Sequence, residues 1–443
     1  MQIRIEHSPS LASAVERFLD ELRGWTGRVL AAYPEGFASD SHDGGTFMLP
    51  WEVYVEATGD RRPVGFMKRY RDDAKQHFEE TGQWLDGYWR RQEVHHGTEH
   101  FDLFLRALWQ LERGDYETVR QMEDAAEHIG NWKAGFPDWY DWQTGLFRSM
   151  HLGTEDVGEA TCNVPDHMRM VRLCLLAHDM TGAERYLQLA VQHAGKWADA
   201  VLSDSNLPVA LMDCGSSSEL GAAEETYRSF VGAAPDSLDS NLERAEVLLA
   251  SAVPDAFLEV WQKTDDSAFL EAAEKILDAG AEVLQSPIAW QVHGAIRRYR
   301  CLTASRRYDS AVANLEPDAT RQIHELRITP EPETRCVTGP MGMRGDKPDW
   351  VDQDNRPAPS PLLCALKALV TGDDKLLASA VDLGRAHFQL GYRTFGDVTH
   401  HGCGSRSLVA VCYGHGRLNR SGVVSEVLAP ALSAAQTDKS GDA

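Results

Sequence analysis

Paired cysteines, long apolar runs and basic charge are all scarce in this 443-residue chain. Its eight cysteines are scattered without a CxxC pair, which argues against a zinc knuckle and a thioredoxin-like motif. No apolar run approaches the roughly 18–20 residues that span a bilayer, and residues 1–20 lack the apolar core of a signal peptide. We therefore expect a cytoplasmic protein without a membrane partner.

Basic residues are in deficit, because 44 Lys and Arg face 67 Asp and Glu, giving a net charge of −23 with histidine neutral. Nucleic acids and anionic membranes both require a basic face, so neither is expected as a partner. An anionic ligand would instead need a locally basic or metal-containing pocket. A GxSxG elbow, a Walker loop and an HExxH motif are absent, and no nucleotide cofactor is expected.

A short helix–turn–helix pattern does occur, and it recurs along the whole chain. In most copies an amphipathic helix ends near Gly, and an Asp or Ser then begins the next helix. The copies lie at 57–60, 112–116, 180–184, 263–266, 305–308 and 370–374. Strand patterns are scarce. The sequence therefore predicts an all-α fold, an (α/α)6-type toroid of about six helical hairpins, in one domain over residues 1–435, followed by a disordered polar tail at 436–443.

The longer connections between hairpins are rich in His, Trp, Asp, Arg and Gly. If the short turns lie at one end of the fold, these connections gather at the other and form a polar, aromatic-lined cavity. Residues 93–102 contain His95 and His96, which suit metal binding and acid/base chemistry. Residues 130–142 contain three tryptophans and a tyrosine, whose faces suit sugar rings. The remaining candidates in such connections are His42, Arg148 and His151, Arg344 in 341–356, and His400 and His401 in 396–406.

The hairpin repeat combined with these loops resembles carbohydrate-active α/α-toroid enzymes. Residues 93–96 and the aromatic-led helix after them are similar to the His-rich helix start of family 2 pectate lyases, and residues 127–132 and 147–148 are similar to later segments of that family. The resemblance implies a divalent metal (Mn, Ca or Zn) at His95, His96 and Glu123, and Arg148 as the base. Ser149 stands where that family has a further metal histidine.

We therefore predict a lyase that cleaves acidic, uronate-containing oligo- or polysaccharide by β-elimination. In that reaction a metal, Arg or protonated His neutralises the uronate carboxylate, and a base then removes the adjacent proton. The predicted catalytic residues are His96, Tyr140, Arg148 and His401. The predicted substrate-binding residues are His42, Trp139, Asp141, Trp142, His151, Arg344 and His400.

Two alternatives remain open on the same fold. A glycoside hydrolase or sugar epimerase is the first, and a hydrolase needs two opposed carboxylates. Candidates for that pair are Asp40, Asp43, Glu99, Asp138 and Asp141. The second alternative is a non-catalytic helical-repeat protein that binds a partner through the same loops. The oligomeric state is not predicted.

Overall fold

The computed structural model describes ten stretches of the chain, which divide into two compact units. The described residues are 2–37, 44–85, 87–89, 97, 99–148, 163–211, 239–287, 289–328, 350–394 and 424–441. Unit 1 comprises Met1–Tyr70 and Ala281–Ala443, and unit 2 comprises Arg71–Gly280. The prediction of a single domain over 1–435 stays a prediction.

Helices account for most of the described residues. They are α1 (Leu11–Ala32), α2 (Gly44–Phe47), α3 (Trp51–Thr58), α4 (Arg62–Glu80), α5 (Arg106–Leu111), α6 (Tyr116–Ile129), α7 (Met168–Thr181), α8 (Glu184–Ser203), α9 (Asn241–Ala250), α10 (Val253–Thr264), α11 (Ser267–Gly280), α12 (Trp290–Thr303), α13 (Asp309–Ala313), α14 (Pro361–Thr371), α15 (Asp374–Thr394) and α16 (Ala429–Gly441). Two π-helical segments, Glu99–Leu105 and Val424–Leu428, lead directly into α5 and α16. The predicted all-α class built from helical hairpins is confirmed.

The strands are short and antiparallel. They are β1 (Gln2–Arg4), β2 (Trp84–Leu85), β3 (Tyr88–Trp89), β4 (Tyr140–Asp141), β5 (Leu146–Phe147), β6 (Glu325–Ile328) and β7 (Trp350–Val351). In unit 1, β1 and β7 flank β6, with Ile3 opposite Leu326. In unit 2, β2 pairs with β3 and β4 with β5, each as a small hairpin.

All six predicted turns connect consecutive helices: α3 to α4, α5 to α6, α7 to α8, α10 to α11, α12 to α13 and α14 to α15. In five of them the residue after the first helix adopts the left-handed conformation. Glycine occupies this position at Gly59, Gly182 and Gly372, as the sequence predicts. Asp265 and Ala304 occupy it in the other two, with φ of 58° and 55°.

A threonine ends the first helix of these same five hairpins. Its hydroxyl donates to the carbonyl four residues earlier, as Thr181 does to Ala177 at 2.7 Å. In four of the five it also accepts the backbone N–H two residues later, as Thr181 does from Ala183 at 3.2 Å. The five threonines are Thr58, Thr181, Thr264, Thr303 and Thr371. The hydroxyl therefore satisfies a backbone donor of the turn while it holds the end of the preceding helix.

Unit 1 joins distant parts of the chain in one core. Helix α1 packs against α15, and Phe18 on α1 contacts Phe388 on α15, with ring centroids 5.8 Å apart. Both rings are buried. Helix α16 continues to Gly441, where the sequence predicts a polar tail from residue 436. Among the described helices, none combines the length and apolarity needed to cross a membrane.

The left-handed turn gives a direct stability prediction. We expect Gly182→Ala to lower the free energy of unfolding by about 1 kcal/mol, because a Cβ at its φ of 72° is strained. Ala304→Gly relieves the same strain, and a rise of up to ~1 kcal/mol is expected. Gly114→Ala is the matched control, since neither Gly114 nor Gly182 has a heavy atom within 4 Å of an added Cβ and Gly114 has no positive φ. Urea unfolding measures all three, and equal effects of Gly182→Ala and Gly114→Ala would contradict this explanation.

Buried neutral histidines predict a loss of stability in acid. Burial lowers the pKa values of His193, His293 and His387 to about 3. The unfolded chain takes up a proton at each below about pH 6.5, whereas the folded chain does not, so stability falls as the pH drops from there toward 3. Each group contributes a slope of up to ~1.4 kcal/mol per pH unit.

His293→Gln tests this account. In the folded protein His293 Nε2 lies 3.1 Å from the carbonyl of Leu284, and a glutamine amide can donate to the same oxygen without titrating. We expect the variant to show a flatter dependence of unfolding free energy on pH between 4 and 6.5. The difference in unfolding free energy between the variant and wild type at pH 8, where histidine is neutral in both states, measures the packing cost of the substitution separately. Parallel curves for variant and wild type would show that His293 does not titrate on unfolding.

Candidate functional site

In unit 2, three of the helices that end in the short turns begin near one another. The ends of α7 and α10 meet where Lys263 pairs with Asp179, and their middles meet where Arg172 approaches Glu259, so the two helices run parallel. The π-helical segment before α5 joins them through Asp102. Segments 90–96, 149–162 and 212–238 precede α5, α7 and α9 in sequence and lie outside the described residues. The chain therefore enters α5 and α7 from segments that contain the predicted residues His95, His96 and His151.

A cluster of four charged side chains lies between these helices. Asp102 Oδ1 accepts from Arg106 Nε at 2.8 Å and Nη2 at 2.5 Å, and its other oxygen lies 3.2 Å from Arg172 Nη1. Glu259 Oε1 is 3.7 Å from Arg172 Nε, and Oε2 is 4.0 Å from Arg106 Nη2. Burial lowers the pKa of Arg106, but the charges of Asp102 and Glu259 outweigh it and leave that pKa raised. Each guanidinium is thus shared by two carboxylates.

The cluster differs in exposure from one side to the other. The Asp102 side chain is 0% exposed and those of both arginines are 5% exposed, whereas Glu259 is 22% exposed. Asp102 is therefore closed off between the helices, and pairing offsets the cost of burying its charge. Glu259 has the most exposed side chain of the four. For this reason Glu259 is the member that a ligand can contact.

Further ionisable side chains lie close to this cluster along the helices. Asp255 precedes Glu259 by one helical turn on α10 and is 8% exposed. Arg169 lies in the first turn of α7, and Glu246 lies on α9; both are buried. Sequence analysis missed all of these residues. The available signal was the presence of charges inside apolar helical runs, as in 101–108 and 168–176, because charged residues are seldom buried unless they are paired.

The His-rich motif at 93–102 contacts the core through its glycine. A Cβ at Gly97 would lie 2.5 Å from the Tyr88 hydroxyl, so the backbone of Gly97 lies close to that phenol. The Tyr88 ring is buried and stacks on Phe101, with centroids 5.5 Å apart. Its hydroxyl has no hydrogen-bond partner within the described stretches. Burial raises the pKa of Tyr88, and the charge of Arg169 opposes that effect.

The aromatic loop, which we define as residues 130–148, is an ordered β-hairpin. The Asn131 side chain accepts from the Tyr140 backbone N–H at 3.0 Å and donates to the Tyr140 carbonyl. Trp142 Nε1 donates to the Gly130 carbonyl at 3.2 Å. Phe147 N–H donates to Asn163 Oδ1 at 2.9 Å, which attaches the second strand to the residues before α7. These bonds hold the loop against unit 2.

The aromatic candidates in this loop differ sharply in exposure. Trp139 is 3% exposed and its ring contacts Tyr88 and His128 at centroid distances of 5.6 and 5.7 Å. Tyr140 is 1% exposed and donates to Gln192 Oε1 at 3.2 Å, and burial raises its pKa. Neither ring has a free face for a sugar. Trp142, at 38% exposure, is the candidate with an accessible ring.

Asp141 and Arg148 lie together in the aromatic loop. The Asp141 carboxylate accepts from the backbone N–H groups of Gln143 and Thr144 at 2.8 and 3.4 Å. The hydrogen bond from Gln143 is the main cause of the lowered pKa of Asp141, and the charge of Arg148 lowers that pKa further. Asp141 is therefore suited to accept hydrogen bonds and unsuited to donate a proton. The Arg148 backbone donates to the Trp139 carbonyl at 2.8 Å, so its position is fixed by the hairpin.

Glu123, the described member of the predicted metal set, lies on α6 near Arg185. The Tyr186 hydroxyl raises the pKa of Arg185 most, and the charges of Glu127 and Glu123 add to this effect. Across the described stretches, no group of three or more His, Cys, Asp or Glu is arranged to hold a metal. The metal stays a prediction, and no step is assigned to it.

The other predicted residues fall largely in parts of the chain that the structure does not describe. His42, His95, His96, His151, Arg344, His400, His401, Asp40 and Asp43 lie outside the described residues, as does the side chain of Glu99. Asp138 is described and exposed. The structure therefore brings together Trp139, Tyr140, Asp141, Trp142 and Arg148 in one hairpin, and places Glu123 on α6.

Comparison with known proteins gives distant structural likenesses. No family model matches the sequence. No curated protein matches it either. A heparin-specific unsaturated glucuronyl hydrolase is 12% identical, with a TM-score of 0.38 over 60% of this chain and 72% of that one. An unsaturated glucuronyl hydrolase from Bacillus sp. GL1, responsible for the degradation of glycosaminoglycan, is 15% identical, with a TM-score of 0.34 over 61% and 84%. With TM-scores this low, the function of this chain has to be inferred from its own side chains.

Proposed function

We propose that this protein is a glycoside hydrolase that acts on uronate-containing oligo- or polysaccharides, with Asp255 as its proton donor and Glu259 as its nucleophile. The observation that carries the proposal is the partly exposed side chain of Glu259 beside two buried guanidinium groups, with Asp255 one turn before it. Most polar cores contain closed ion pairs, whereas this cluster leaves one acidic side chain partly exposed. Hydrolysis takes precedence over β-elimination because the described interior supplies two neighbouring carboxylates, Asp255 and Glu259, and a glycoside hydrolase requires such a pair.

The two residues of the pair share one face of α10. Residues four apart on a helix have Cβ atoms about 5–6 Å apart. Retaining glycosidases hold their two carboxyl groups about 5–5.5 Å apart, one as acid and one as nucleophile. The guanidinium groups of Arg106 and Arg172 favour a negative charge on Glu259, which suits the nucleophile. Asp255, one turn before it on the same helix, is then the proposed proton donor to the leaving oxygen.

Arg169 suits recognition of the acidic sugar. It lies in the first turn of α7 and is 2% exposed, so its charge acts in a poorly hydrated environment. Guanidinium groups bind carboxylates in a bidentate manner, which selects uronates over neutral sugars. In a chain with a net charge of −23, a local cluster of arginines is what an anionic substrate requires.

β-Elimination is a second candidate, and Tyr88 favours it. Its buried phenol lies near Arg169 and has no hydrogen-bond partner within the described stretches. A protonated phenol can donate its proton to the leaving glycosidic oxygen, while a base removes the proton next to a uronate carboxylate that an arginine neutralises. His96, Tyr140, Arg148 and His401 remain predicted catalytic residues for this reaction. Product chemistry separates the two candidates, since elimination creates a double bond that absorbs in the ultraviolet.

Substitution of Glu259 and of Asp255 tests the proposed hydrolase activity. We expect Glu259→Gln and Asp255→Asn each to lower kcat on the best uronate substrate by about 10²–10⁴-fold, the usual contribution of an acid/base group. Release of reducing ends, followed together with ultraviolet absorbance over a panel of uronate polysaccharides and oligosaccharides, measures the rate and the product type. Glu271→Gln is the matched control, because Glu271 is exposed on α11 and outside the cluster.

Three results would contradict the hydrolase. A rise in ultraviolet absorbance with new reducing ends would establish the lyase. Full activity of folded Glu259→Gln and Asp255→Asn would place the chemistry elsewhere. Absence of turnover on every substrate, together with retained saccharide binding, would favour the non-catalytic repeat protein.

A further inference from the structure

The exposed surface of the aromatic loop has two neighbouring indole rings. Trp142 is 38% exposed, and its ring centroid lies 5.6 Å from that of half-buried Trp132. The Trp142 ring is fixed from below by its bond to the Gly130 carbonyl and by an edge contact with Tyr140 at 5.0 Å. A tryptophan held in place with an open face offers a preformed stacking surface at little entropic cost.

Two cations border these rings. The Arg185 guanidinium lies over the Trp132 ring, 5.5 Å from its centroid, and pairs with Glu127. Lys196 is exposed and has no ion-pair partner among the described residues. Its side chain runs along the tip of the hairpin, since a Cβ at Gly145 would lie 3.1 Å from Lys196 Cε.

Helix α8 connects the lysine to the exposed tryptophan. Gln192, one turn before Lys196, donates to the Trp142 carbonyl at 2.9 Å. Residues four apart share one face of a helix, so Gln192 and Lys196 both lie against the hairpin. We call Trp132, Trp142, Arg185 and Lys196 the tryptophan platform. It combines stacking faces with positive charge on a strongly acidic protein.

A chain of ring contacts separates the platform from the interior cluster. Successive centroids from Trp142 to Tyr140, from Tyr140 to Phe147 and from Phe147 to His167 are 5.0, 5.0 and 5.2 Å apart. His167 directly precedes α7, which carries Arg169 in its first turn. The platform is therefore on the outer surface of unit 2, three ring contacts away from the beginning of α7.

We propose that the tryptophan platform is a docking site for an acidic polysaccharide chain, separate from the site of bond cleavage. A sugar ring stacks on Trp142, and a uronate carboxylate pairs with Lys196. The platform would hold a polymer on the surface of unit 2 while another part of the same chain reaches the interior. This inference rests on the proposed saccharide specificity, but it concerns binding and does not depend on which reaction occurs.

Binding of defined polymers tests the platform without reference to turnover. The probes are polygalacturonate and hyaluronan, with neutral dextran for contrast, in affinity gel electrophoresis. We expect Trp142→Ala to weaken binding of an acidic polymer by about tenfold, the equivalent of one buried aromatic contact. Lys196→Ala should weaken it by about threefold at low salt and have little effect at 1 M salt, where surface charges are screened.

Matched variants separate docking from folding. Tyr116→Ala removes another exposed aromatic ring, 77% exposed on α6, and Lys375→Ala removes an exposed lysine in unit 1. Both should bind the polymers as wild type does. Trp142→Phe keeps a stacking face while it loses the bond to Gly130, so it should retain most of the affinity and shows whether the hairpin tolerates substitution.

The outcomes decide the proposal in either direction. Selective loss of acidic-polymer binding in Trp142→Ala and Lys196→Ala supports it, even if no substrate is turned over. Wild-type affinity in both variants overturns it, as does equal binding of dextran. A wild-type protein that binds none of the polymers also overturns the platform proposal. Turnover of short uronate oligosaccharides by that protein would show independently that the proposed function stands.

Discussion

Two arginines shared by two carboxylates determine how the helices of unit 2 are placed. Arg106 and Arg172 each approach both Asp102 and Glu259, and the four side chains belong to three different segments of the chain. Removing one partner from such a buried set leaves an uncompensated charge, which costs several kcal/mol. The arrangement therefore specifies one relative position for α7, α10 and the π-helical segment before α5. That position also determines where the partly exposed side chain of Glu259 lies.

The opposite ends of the same helices are fixed by backbone geometry. A terminal threonine and a left-handed residue close the turns after α7 and α10, and the N–H bonded to the threonine belongs to the turn. The turns occupy the C-terminal ends of these helices, whereas the charged residues Arg169 and Asp255 lie in their first turns. The C-terminal end of each helix thus leads into the turn, whereas the N-terminal end can carry residues that contact a ligand.

The sequence predicts the hairpins well because each turn is determined locally. Glycine, a capping residue and apolar periodicity lie within a few positions of each other, and all six turns occur where they are predicted. The left-handed conformations of Asp265 and Ala304 are not predictable in this way, since these residues carry a Cβ and adopt that conformation only because the flanking helices require it. The threonine that ends five of the helices was present in the sequence, but its hydrogen bonds to the turn become evident only in three dimensions.

The site is less predictable because its residues are distant in sequence. Trp139 and Tyr140 have the composition of a sugar-binding loop, yet pairing of β4 with β5 turns both rings into the core and leaves Trp142 exposed. Asp102 and Arg106 lie four residues apart in an apolar segment, a spacing that suggests an ion pair but does not reveal Arg172 and Glu259 as its other members. Contacts between segments, rather than local pattern, decide which charges are buried together.

The most direct test of the central claim is a crystal structure of the Asp255→Asn variant soaked with a uronate-containing disaccharide. The account predicts a sugar ring within hydrogen-bond distance of Glu259 and residue 255, with its carboxylate facing Arg169. A disaccharide bound away from α10, with the Asp102–Arg106–Arg172–Glu259 cluster closed and untouched, would show that these charges only hold the helices together.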